Sequence, residues 1–533
     1  MKIGLAQINV IVGDIENNTS KIIDIIKEYS EICDLLIFPE MILTGYPPQD
    51  LLLDSSFISK AEIALDKIAS QSRGAAVILG TVRKEDNMLY NTAAVINNFE
   101  VIRFVDKTHL PNYDVFDENR YFSSSKLIDP VPVEINGRIV NMGVQVCEDL
   151  WDDSYEVKVS TELSNKGAEL LINISSSPFY VDKHNERIDI IREKAIDLKC
   201  YFIYCNIVGA QDELVFDGNS SIVNPEGKLV AICPPFKEAI KIVDLEKVKP
   251  IFVPKYTKEE QIYNALLLGV KDYFIKTKHK KAVVGLSGGI DSALTATIAA
   301  NALGSNNVIG VSMPSIYSSD HSIEDAKRLA ENLQIHFEII SIKEINSLML
   351  SSISNLQDSS SDNNAEENIQ SRIRGNILMS IANKNNALLL NTGNKTEMAL
   401  GYCTMYGDMA GALSVISDIN KTQVYLISKW INKMLKKDVI PKNSILKAPS
   451  AELKENQVDP FDYDLISPLV DTLISNPGQI NDLIEQGYSK NIVYDLLNKI
   501  RLSEYKRRQA PPGIKVSKKA LGYGRRYPVV NAY

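Results

Sequence analysis

The chain has 533 residues, more than one ordinary domain holds, so we expect at least two folded units. Apolar residues make up 45% of the chain and charged residues 23%, which is typical of globular proteins and excludes wholesale disorder. The net charge of −9 argues against binding to a phosphate backbone as the main activity, so no nucleic-acid partner is expected.

The six cysteines form no CxxC pair and have no metal-ligand spacing with the five histidines. This usage fits a reducing cytosol. The N-terminal MKIGLAQINV has a strand-like alternation in place of a basic and then apolar leader, and no apolar run reaches the ~18 residues of a membrane span. We therefore expect a cytoplasmic protein with no membrane partner.

The first half of the chain alternates short apolar runs of β character with amphipathic helices, predicted over 17–32 and 59–70. This alternation predicts an α/β domain over 1–245. A segment of mixed charge with two prolines, 246–259, is the predicted linker. The predicted strands are 3–10, 35–38, 76–81, 140–147, 169–174, 201–207 and 220–223.

In the second half, 260–533, strands and helices alternate more regularly, which predicts a doubly wound parallel sheet. A low-complexity polar tract, 351–364, interrupts it, and we interpret this tract as a lid that closes over a site. The predicted strands are 281–286, 308–313, 337–340 and 387–390, and the predicted helices are 291–303, 322–333 and 367–382.

A glycine turn joins the first of these strands to its helix. Gly288 and Gly289 allow backbone N–H groups to face an anion, and the hydroxyl groups of Ser287 and Ser292 add donors. Asp291 lies at the helix start, where a carboxylate beside phosphates requires an intervening cation such as Mg²⁺. The alternative interpretation is a plain turn with a capping aspartate.

In sequence, this turn resembles the pyrophosphate loop of the N-type ATP pyrophosphatases, which adenylate a substrate and release pyrophosphate. Further motifs at 367–375, 391–408, 448–451 and 505–508 look like the NAD⁺ synthetase family over 260–533. The resemblance implies ATP as a co-substrate, contacted by Gly285, Leu286, Ser287, Gly288, Gly289, Ile290, Asp291, Ser292, Thr392, Lys421 and Ser450.

The same resemblance implies Mg²⁺ on Asp291 and Glu397. It places deamido-NAD⁺ on a set of polar residues, Asn368, Arg372, Glu397 and Lys506. Arg374 is two residues from Arg372 and so on another helix face, where we expect a surface arginine. The chain departs from the ammonia-only branch of the family at three positions, Met405, Ala412 and Tyr505, which leaves the details of dinucleotide recognition open.

In the first half, Glu40, Lys107 and Cys147 each follow a predicted strand, so their side chains can converge. A lone cysteine is more often an inert buried thiol, but a nearby carboxylate and amine can deprotonate it at neutral pH. The segments around the three residues look like the nitrilase, or carbon–nitrogen hydrolase, superfamily over 1–245. That resemblance implies an αββα sandwich that hydrolyses amides.

The resemblance also assigns roles. Cys147 would attack the carboxamide carbon, Glu40 would carry the proton to the leaving ammonia, and Lys107 with the backbone N–H of Glu148 would stabilise the oxyanion. Glu118 would be an auxiliary carboxylate. Glutamine would be held by Tyr113, Ser177 and Lys183. We interpret His109 as structural, because no Cys/His protease signature surrounds it.

An amidase joined to an adenylating domain resembles the family of glutamine-dependent NAD⁺ synthetases. The implied substrates are deamido-NAD⁺, ATP and glutamine. Because the synthetase needs unprotonated ammonia, we expect an internal channel, and we also expect a homo-oligomer. Two alternatives stay open: a tRNA-modifying ATP pyrophosphatase, which the acidity disfavours, and a nucleotide sensor with an inactive amidase.

Overall fold

The computed structural model describes residues 1–353, 364–455, 457–476, 478 and 480–532, and these form two compact units, Met1–Tyr256 and Thr257–Tyr533. The boundary between the units falls within the segment 246–259. Residues 354–363, the greater part of the polar tract interpreted as a lid, lie outside the described residues.

The first unit is built of strands and four α-helices, counted over its described residues 1–256. The helices are α1 (Ile15–Tyr29), α2 (Ser55–Ala69), α3 (Val159–Asn165) and α4 (Lys183–Leu198). The strands are β1 (Lys2–Gln7), β2 (Leu35–Ile37), β3 (Ala76–Glu85), β4 (Met88–Asn97), β5 (Glu100–Asp106), β6 (Val131–Ile135), β7 (Arg138–Val146), β8 (Leu170–Ser175), β9 (Tyr201–Asn206), β10 (Val208–Gln211), β11 (Leu214–Asp217), β12 (Ser221–Val223), β13 (Leu229–Ile232) and β14 (Ala239–Asp244).

Two six-stranded sheets run through residues 1–256, with the orders β14-β1-β2-β3-β4-β5 and β13-β12-β9-β8-β7-β6. Each has three parallel strands at its centre and antiparallel strands outside them. β10 and β11 form a separate antiparallel hairpin. The parallel centre explains why the sequence alternates strands with helices, since parallel neighbours require crossover connections.

The central strands are apolar on both faces because each sheet is covered on both faces. In β2, Leu35 and Ile37 lie in the core between the two sheets, whereas Leu36 packs with α1 and α2. In the second sheet, Ile172 faces the core between the sheets and Leu171 packs with α3 and α4. The layers are therefore helix, sheet, sheet and helix, which confirms the predicted αββα sandwich.

The second unit has a parallel sheet, whose described strands are β15 (Lys281–Gly285), β16 (Val308–Ser312), β17 (His336–Ile339), β18 (Ala387–Asn391) and β19 (Leu413–Ser414). Its helices are α5 (Lys258–Lys276), α6 (Ile290–Leu303), α7 (Asp320–Leu333), α8 (Lys343–Ile353), α9 (Ala365–Lys384), α10 (Lys395–Leu400), α11 (Lys421–Leu435), α12 (Lys442–Leu446), α13 (Tyr463–Ser475), α14 (Ile480–Glu485), α15 (Lys490–Leu502) and α16 (Glu504–Arg507).

The order of this sheet is β17-β16-β15-β18-β19, with every pairing parallel, which confirms the predicted doubly wound fold. The chain moves outward from β15 in one direction and then returns to add β18 on the other side. Ligands of such sheets bind where the strand order reverses, at the carboxyl ends of the strands. The loops after β15 and β18 therefore mark the site. Among the helices that the structure describes, none is long and apolar enough to cross a membrane.

Candidate active sites

The first candidate site begins with Glu40, which follows β2 and is fully buried. Its backbone lies directly against β3, where Gly80 donates its N–H to the carbonyl of Pro39 at 3.0 Å. A Cβ at position 80 would lie 2.2 Å from the backbone nitrogen of Met41. Only glycine permits this approach, so the turn that carries Glu40 is fixed by a contact between backbones.

Lys107, at the end of β5, forms the centre of a buried charged cluster. Its Nζ donates to Oε1 of Glu40 at 2.8 Å and to Oε1 of Glu118 at 2.9 Å. Burial lowers the pKa of Lys107, but Glu118 and Glu40 raise it well above its usual value. Burial raises the pKa of Glu118, which Lys107 opposes. The lysine is therefore a permanent cation between two acids.

Two further residues orient Glu40. Asn91, on β4, donates from Nδ2 to Oε1 at 2.7 Å, and the backbone N–H of Ser176 donates to Oε2 at 2.7 Å. The hydroxyl of Ser176 also donates to the backbone carbonyl of Glu40 at 2.8 Å. Because both carboxylate oxygens accept bonds, the carboxylate has one orientation.

Cys147 follows β7 and is 4% exposed. Its φ of 45° is in the left-handed region, which a residue other than glycine adopts at a cost in strain. Burial and Glu40 raise the pKa of its thiol well above the usual value, whereas Lys107 lowers it. These shifts favour the protonated thiol, which is the opposite of the deprotonation that the sequence predicts.

Asp149 joins the turn of Cys147 to the loop after Lys107. Its carboxylate accepts the backbone N–H of Val146 at 3.0 Å and that of His109 at 2.8 Å. Burial raises the pKa of this carboxyl to about 7, although the backbone N–H groups lower it. Nε2 of the His109 ring lies 3.0 Å from the carbonyl oxygen of Val157. This contact fits the structural role predicted for His109.

Glu148 lies among the predicted glutamine-binding residues. The hydroxyl of Tyr113 donates to it at 3.1 Å. Burial raises the pKa of Glu148, and the charge of Lys107 opposes this rise. Tyr113 is 54% exposed, whereas Ser177 and Lys183 are buried. The structure therefore brings Tyr113 into contact with the residue that follows Cys147, whereas Nζ of Lys183 donates to the carbonyl of Pro178 at 2.8 Å.

The second candidate site is the loop after β15. Gly288 has φ of 76°, and a Cβ there would lie 2.3 Å from the carbonyl oxygen of Ser322, at the start of α7. The hydroxyl of Ser287 accepts the N–H of Gly289 at 3.2 Å. The hydroxyl of Ser444 donates to the carbonyl of Gly288 at 3.0 Å, which holds the loop from the far side.

Two carboxylates beside this loop share one cation. Nζ of Lys421 lies 2.5 Å from Oδ2 of Asp291 and 3.4 Å from Oε1 of Glu397. Burial raises the pKa of Glu397 to about 8, Lys421 lowers it, and Asp291 raises it again. Asn394 donates to the other oxygen of Asp291 at 3.0 Å. The structure therefore joins two residues that are 106 positions apart in the chain around a place suited to a positive charge.

This arrangement fits the implied Mg²⁺. Among the described residues there is no cluster of three or more His, Cys, Asp or Glu side chains that could hold a metal. Mg²⁺ is commonly bound by one or two carboxylates and completed by water and substrate phosphates. Asp291 and Glu397 supply that number of oxygen donors next to a phosphate loop.

A cavity of about 210 Å³ extends from the phosphate loop and is lined by Ser287, Thr392, Ser450 and Arg374, among others. The expectation that Arg374 lies on the surface was wrong: it is half-buried and donates to the carbonyl of Met313 at 3.1 Å. Burial lowers its pKa to about 10. Spacing along the helix separated the two arginines correctly but did not show which face borders the cavity.

The predicted dinucleotide residues Asn368, Arg372 and Lys506 all contact one segment, 401–405. Asn368 accepts a hydroxyl hydrogen bond from it at 2.6 Å, and Arg372 donates to one of its carbonyls at 3.3 Å. Lys506 donates to two further carbonyls at 2.7 and 2.8 Å. Two residues of α9 and the distant Lys506 thus meet next to the helix that carries Glu397.

Known families are similar to both units of the chain. A carbon–nitrogen hydrolase family model matches residues 2–250, and an NAD synthase family model matches residues 262–510. Glutamine-dependent NAD(+) synthetases from Synechocystis sp. and from Aquifex aeolicus are each 40% identical to the chain. The alignments cover 100% of the chain and 99% and 100% of those proteins.

A solved structure is similar over the same length. It is the glutamine-dependent NAD⁺ synthetase from Acinetobacter baumannii in complex with adenosine diphosphate, which is 34% identical with a TM-score of 0.80. The match covers 99% of this chain and 98% of that one. The similarity therefore includes both units and both candidate sites.

Proposed function

Because the chain belongs to the family of glutamine-dependent NAD(+) synthetases, we propose that it converts deamido-NAD⁺, ATP, glutamine and water to NAD⁺, AMP, pyrophosphate and glutamate. It is an ATP-dependent carbon–nitrogen ligase. The observation that carries the proposal is that one chain contains both a buried Glu40–Lys107–Cys147 set and a phosphate loop beside two carboxylates.

We assign glutamine hydrolysis to the first unit. Sγ of Cys147 attacks the amide carbon while Glu40 takes the thiol proton, and the C–N bond breaks as that proton passes to the leaving ammonia. Glu40 then deprotonates a water molecule that attacks the thioester, which releases glutamate and returns the proton to the thiol. Because the resting site favours the protonated thiol, we expect Glu40 to be required for both halves of the reaction.

Lys107 and the backbone N–H of Glu148 would stabilise the tetrahedral oxyanion. A lysine ammonium group has three N–H bonds, and those to Glu40 and Glu118 use two. The third is available for the developing charge. Glu118 accordingly acts through Lys107, by keeping it charged and oriented.

We assign adenylation to the second unit. The nicotinate carboxylate is a poor electrophile, so its oxygen attacks the α-phosphorus of ATP and pyrophosphate leaves. Ammonia then attacks the activated carbonyl carbon and AMP leaves. The loop from Gly285 to Ser292, with Thr392, Lys421 and Ser450, would bind ATP, and Asn368, Arg372 and Lys506 would bind deamido-NAD⁺.

Asp291 and Glu397 would hold Mg²⁺, which offsets negative charge on the departing pyrophosphate when it is bound. Lys421, which pairs with both carboxylates, would then be free to turn toward the phosphates. Transfer of ammonia through an internal channel, a homo-oligomeric state and a cytoplasmic location remain predictions from the sequence.

Product analysis tests the proposal. The protein is incubated with ATP, Mg²⁺ and deamido-NAD⁺, and with either glutamine or ammonium chloride as the nitrogen source. We expect NAD⁺ from both sources, and glutamate in equal amount only from glutamine. An adenylated tRNA product, or nucleotide binding without turnover, would instead support one of the two alternatives.

A further inference from the structure

The first unit contains a buried ion pair that the proposed mechanism does not use. One of its members lies on α4, the helix that Lys183 begins. Arg187, on α4, is completely buried, and Asp217, the last residue of β11, is 1% exposed. Nη2 of the arginine is 3.1 Å from Oδ1 of the aspartate, and Nη1 is 3.3 Å from Oδ2. The two groups thus meet as parallel forks, a geometry that fixes orientation as well as distance.

A pair buried this completely has little value for stability. Desolvation of two charges offsets their attraction, and apolar residues of the same size often serve equally well. Nε of Arg187 has no hydrogen-bond partner in the described part of the chain. The best-attested role of such a pair is to fix the residues around it in one arrangement.

On the arginine side, the pair is connected to Lys183 through helix α4. This residue begins α4, one helical turn before Arg187, so the two side chains are on the same face of the helix. The Arg187–Asp217 bonds therefore anchor the turn that carries Lys183 to the neighbouring hairpin.

On the aspartate side, the pair is connected to Ser177 through hydrogen bonds. The residue after Asp217 is Gly218, whose carbonyl accepts Nδ2 of Asn206 at 3.0 Å. Oδ1 of Asn206 in turn accepts the backbone N–H of Ser177 at 2.9 Å. The position of Ser177 is thus set through one side chain by the same end of β11 that Arg187 holds.

We propose that Arg187 and Asp217 are positioning residues that preorganise Ser177 and Lys183 for glutamine. The inference rests on the proposed function, because it concerns the same substrate site. The alternative is a direct electrostatic effect on the nucleophile, since Cys147 is near enough to Arg187 to raise the pKa of the guanidinium. Positioning acts on the affinity for glutamine, whereas an effect on the nucleophile acts on the reactivity of its thiol.

The test compares Arg187→Lys and Asp217→Asn with the wild-type enzyme. Lysine keeps the charge and loses the fork, and asparagine keeps the size and loses the charge. We expect the KM for glutamine to rise about tenfold or more in both, the usual result of misplacing a polar contact, while kcat stays within about threefold. The rate with ammonium, and alkylation of Cys147 by iodoacetamide, should not change.

Two control variants distinguish a loss of glutamine affinity from a folding defect. Arg192→Lys, on the same helix but outside the pair, should leave every quantity unchanged. The double variant Arg187→Met with Asp217→Leu removes both charges, so its thermal stability should return toward that of the wild type while the KM for glutamine stays high. Recovery of the KM in this variant would mean that the pair only supports the fold.

The remaining outcomes overturn the proposal. An unchanged KM would show that the pair positions nothing that binds glutamine. A fall in kcat together with slower alkylation would assign Arg187 to the reactivity of Cys147. An equal loss of the ammonium-driven rate would indicate general destabilisation. If the wild-type protein made NAD⁺ from ammonium but not from glutamine, the proposed function itself would fail.

Discussion

Lys107 donates a 2.8 Å hydrogen bond to Glu40, so the proposed base is paired with a buried cation before substrate arrives. The two paired groups act in opposite directions on the pKa of Cys147, which burial already raises. The carboxylate of Glu40 raises the pKa of the thiol, and the ammonium group of Lys107 lowers it. Removing the base should therefore separate the acidity of the thiol from the turnover of glutamine.

Glu40→Gln should lower the rate of glutamine hydrolysis by at least about a hundredfold, the usual contribution of a general base. The same variant should react faster with iodoacetamide, because loss of the negative charge lowers the pKa of Cys147 while Lys107 stays positive. In the wild type the alkylation rate should still rise with pH above 9, since the folded-state pKa is raised. Rates measured from pH 7 to 10 decide this, and slower alkylation of the variant would contradict it.

Cys147→Ala should make NAD⁺ from ammonium and none from glutamine. No thioester can form without the thiol, whereas millimolar ammonium at mildly alkaline pH supplies free ammonia directly. Cys33→Ala, which removes another buried thiol of the same unit, is the matched control and should use both sources. An unchanged glutamine-driven rate in Cys147→Ala would reject the assignment of the nucleophile.

Asp291→Asn and Glu397→Gln should each abolish pyrophosphate release at saturating Mg²⁺ and leave glutamine hydrolysis by the first unit intact. Each change removes an anionic ligand with little change in volume. Glu331→Gln, an exposed change on α7, serves as the control. Pyrophosphate release at the wild-type rate from both variants would remove these carboxylates from the metal site.

Lys421→Met should increase the affinity of the nucleotide-free protein for Mg²⁺. The lysine now pairs with Asp291 and Glu397, so its removal leaves two adjacent carboxyl groups without a cation. Thermal stability should therefore fall without the metal and rise more on adding Mg²⁺ than in the wild type. Lys429→Met, an exposed change on the same helix, should show neither effect. An identical response to Mg²⁺ in Lys421→Met and the wild type would show that lysine and metal do not compete.

Residues at strand ends were predictable from the sequence, and residues within strands were not. Glu40, Lys107 and Cys147 each follow a strand in a local motif, which explains why the sequence located them. Asn91 lies in the middle of β4 and reaches Glu40 only because two strands pair. Its neighbours in sequence carry no sign of that contact.

The second unit shows a similar limit. The phosphate loop was identified because its glycines and aspartate are contiguous, and its position after β15 follows from the strand pattern. Arg374 was misplaced because spacing along α9 separates helix faces but does not say which face borders a cavity. In the first unit, Asp149 was missed because the backbone N–H groups of Thr108 and His109, from which it accepts hydrogen bonds, follow a different strand.

The αββα sandwich also has a consequence for how activity arises during synthesis of the chain. Glu40 and Lys107 come from one sheet, whereas Cys147 and Ser176 follow strands of the other. Neither sheet alone contains a nucleophile and its base. A nascent or partly unfolded chain therefore has no means of releasing ammonia, and the onset of glutamine hydrolysis reports directly that the two sheets have docked.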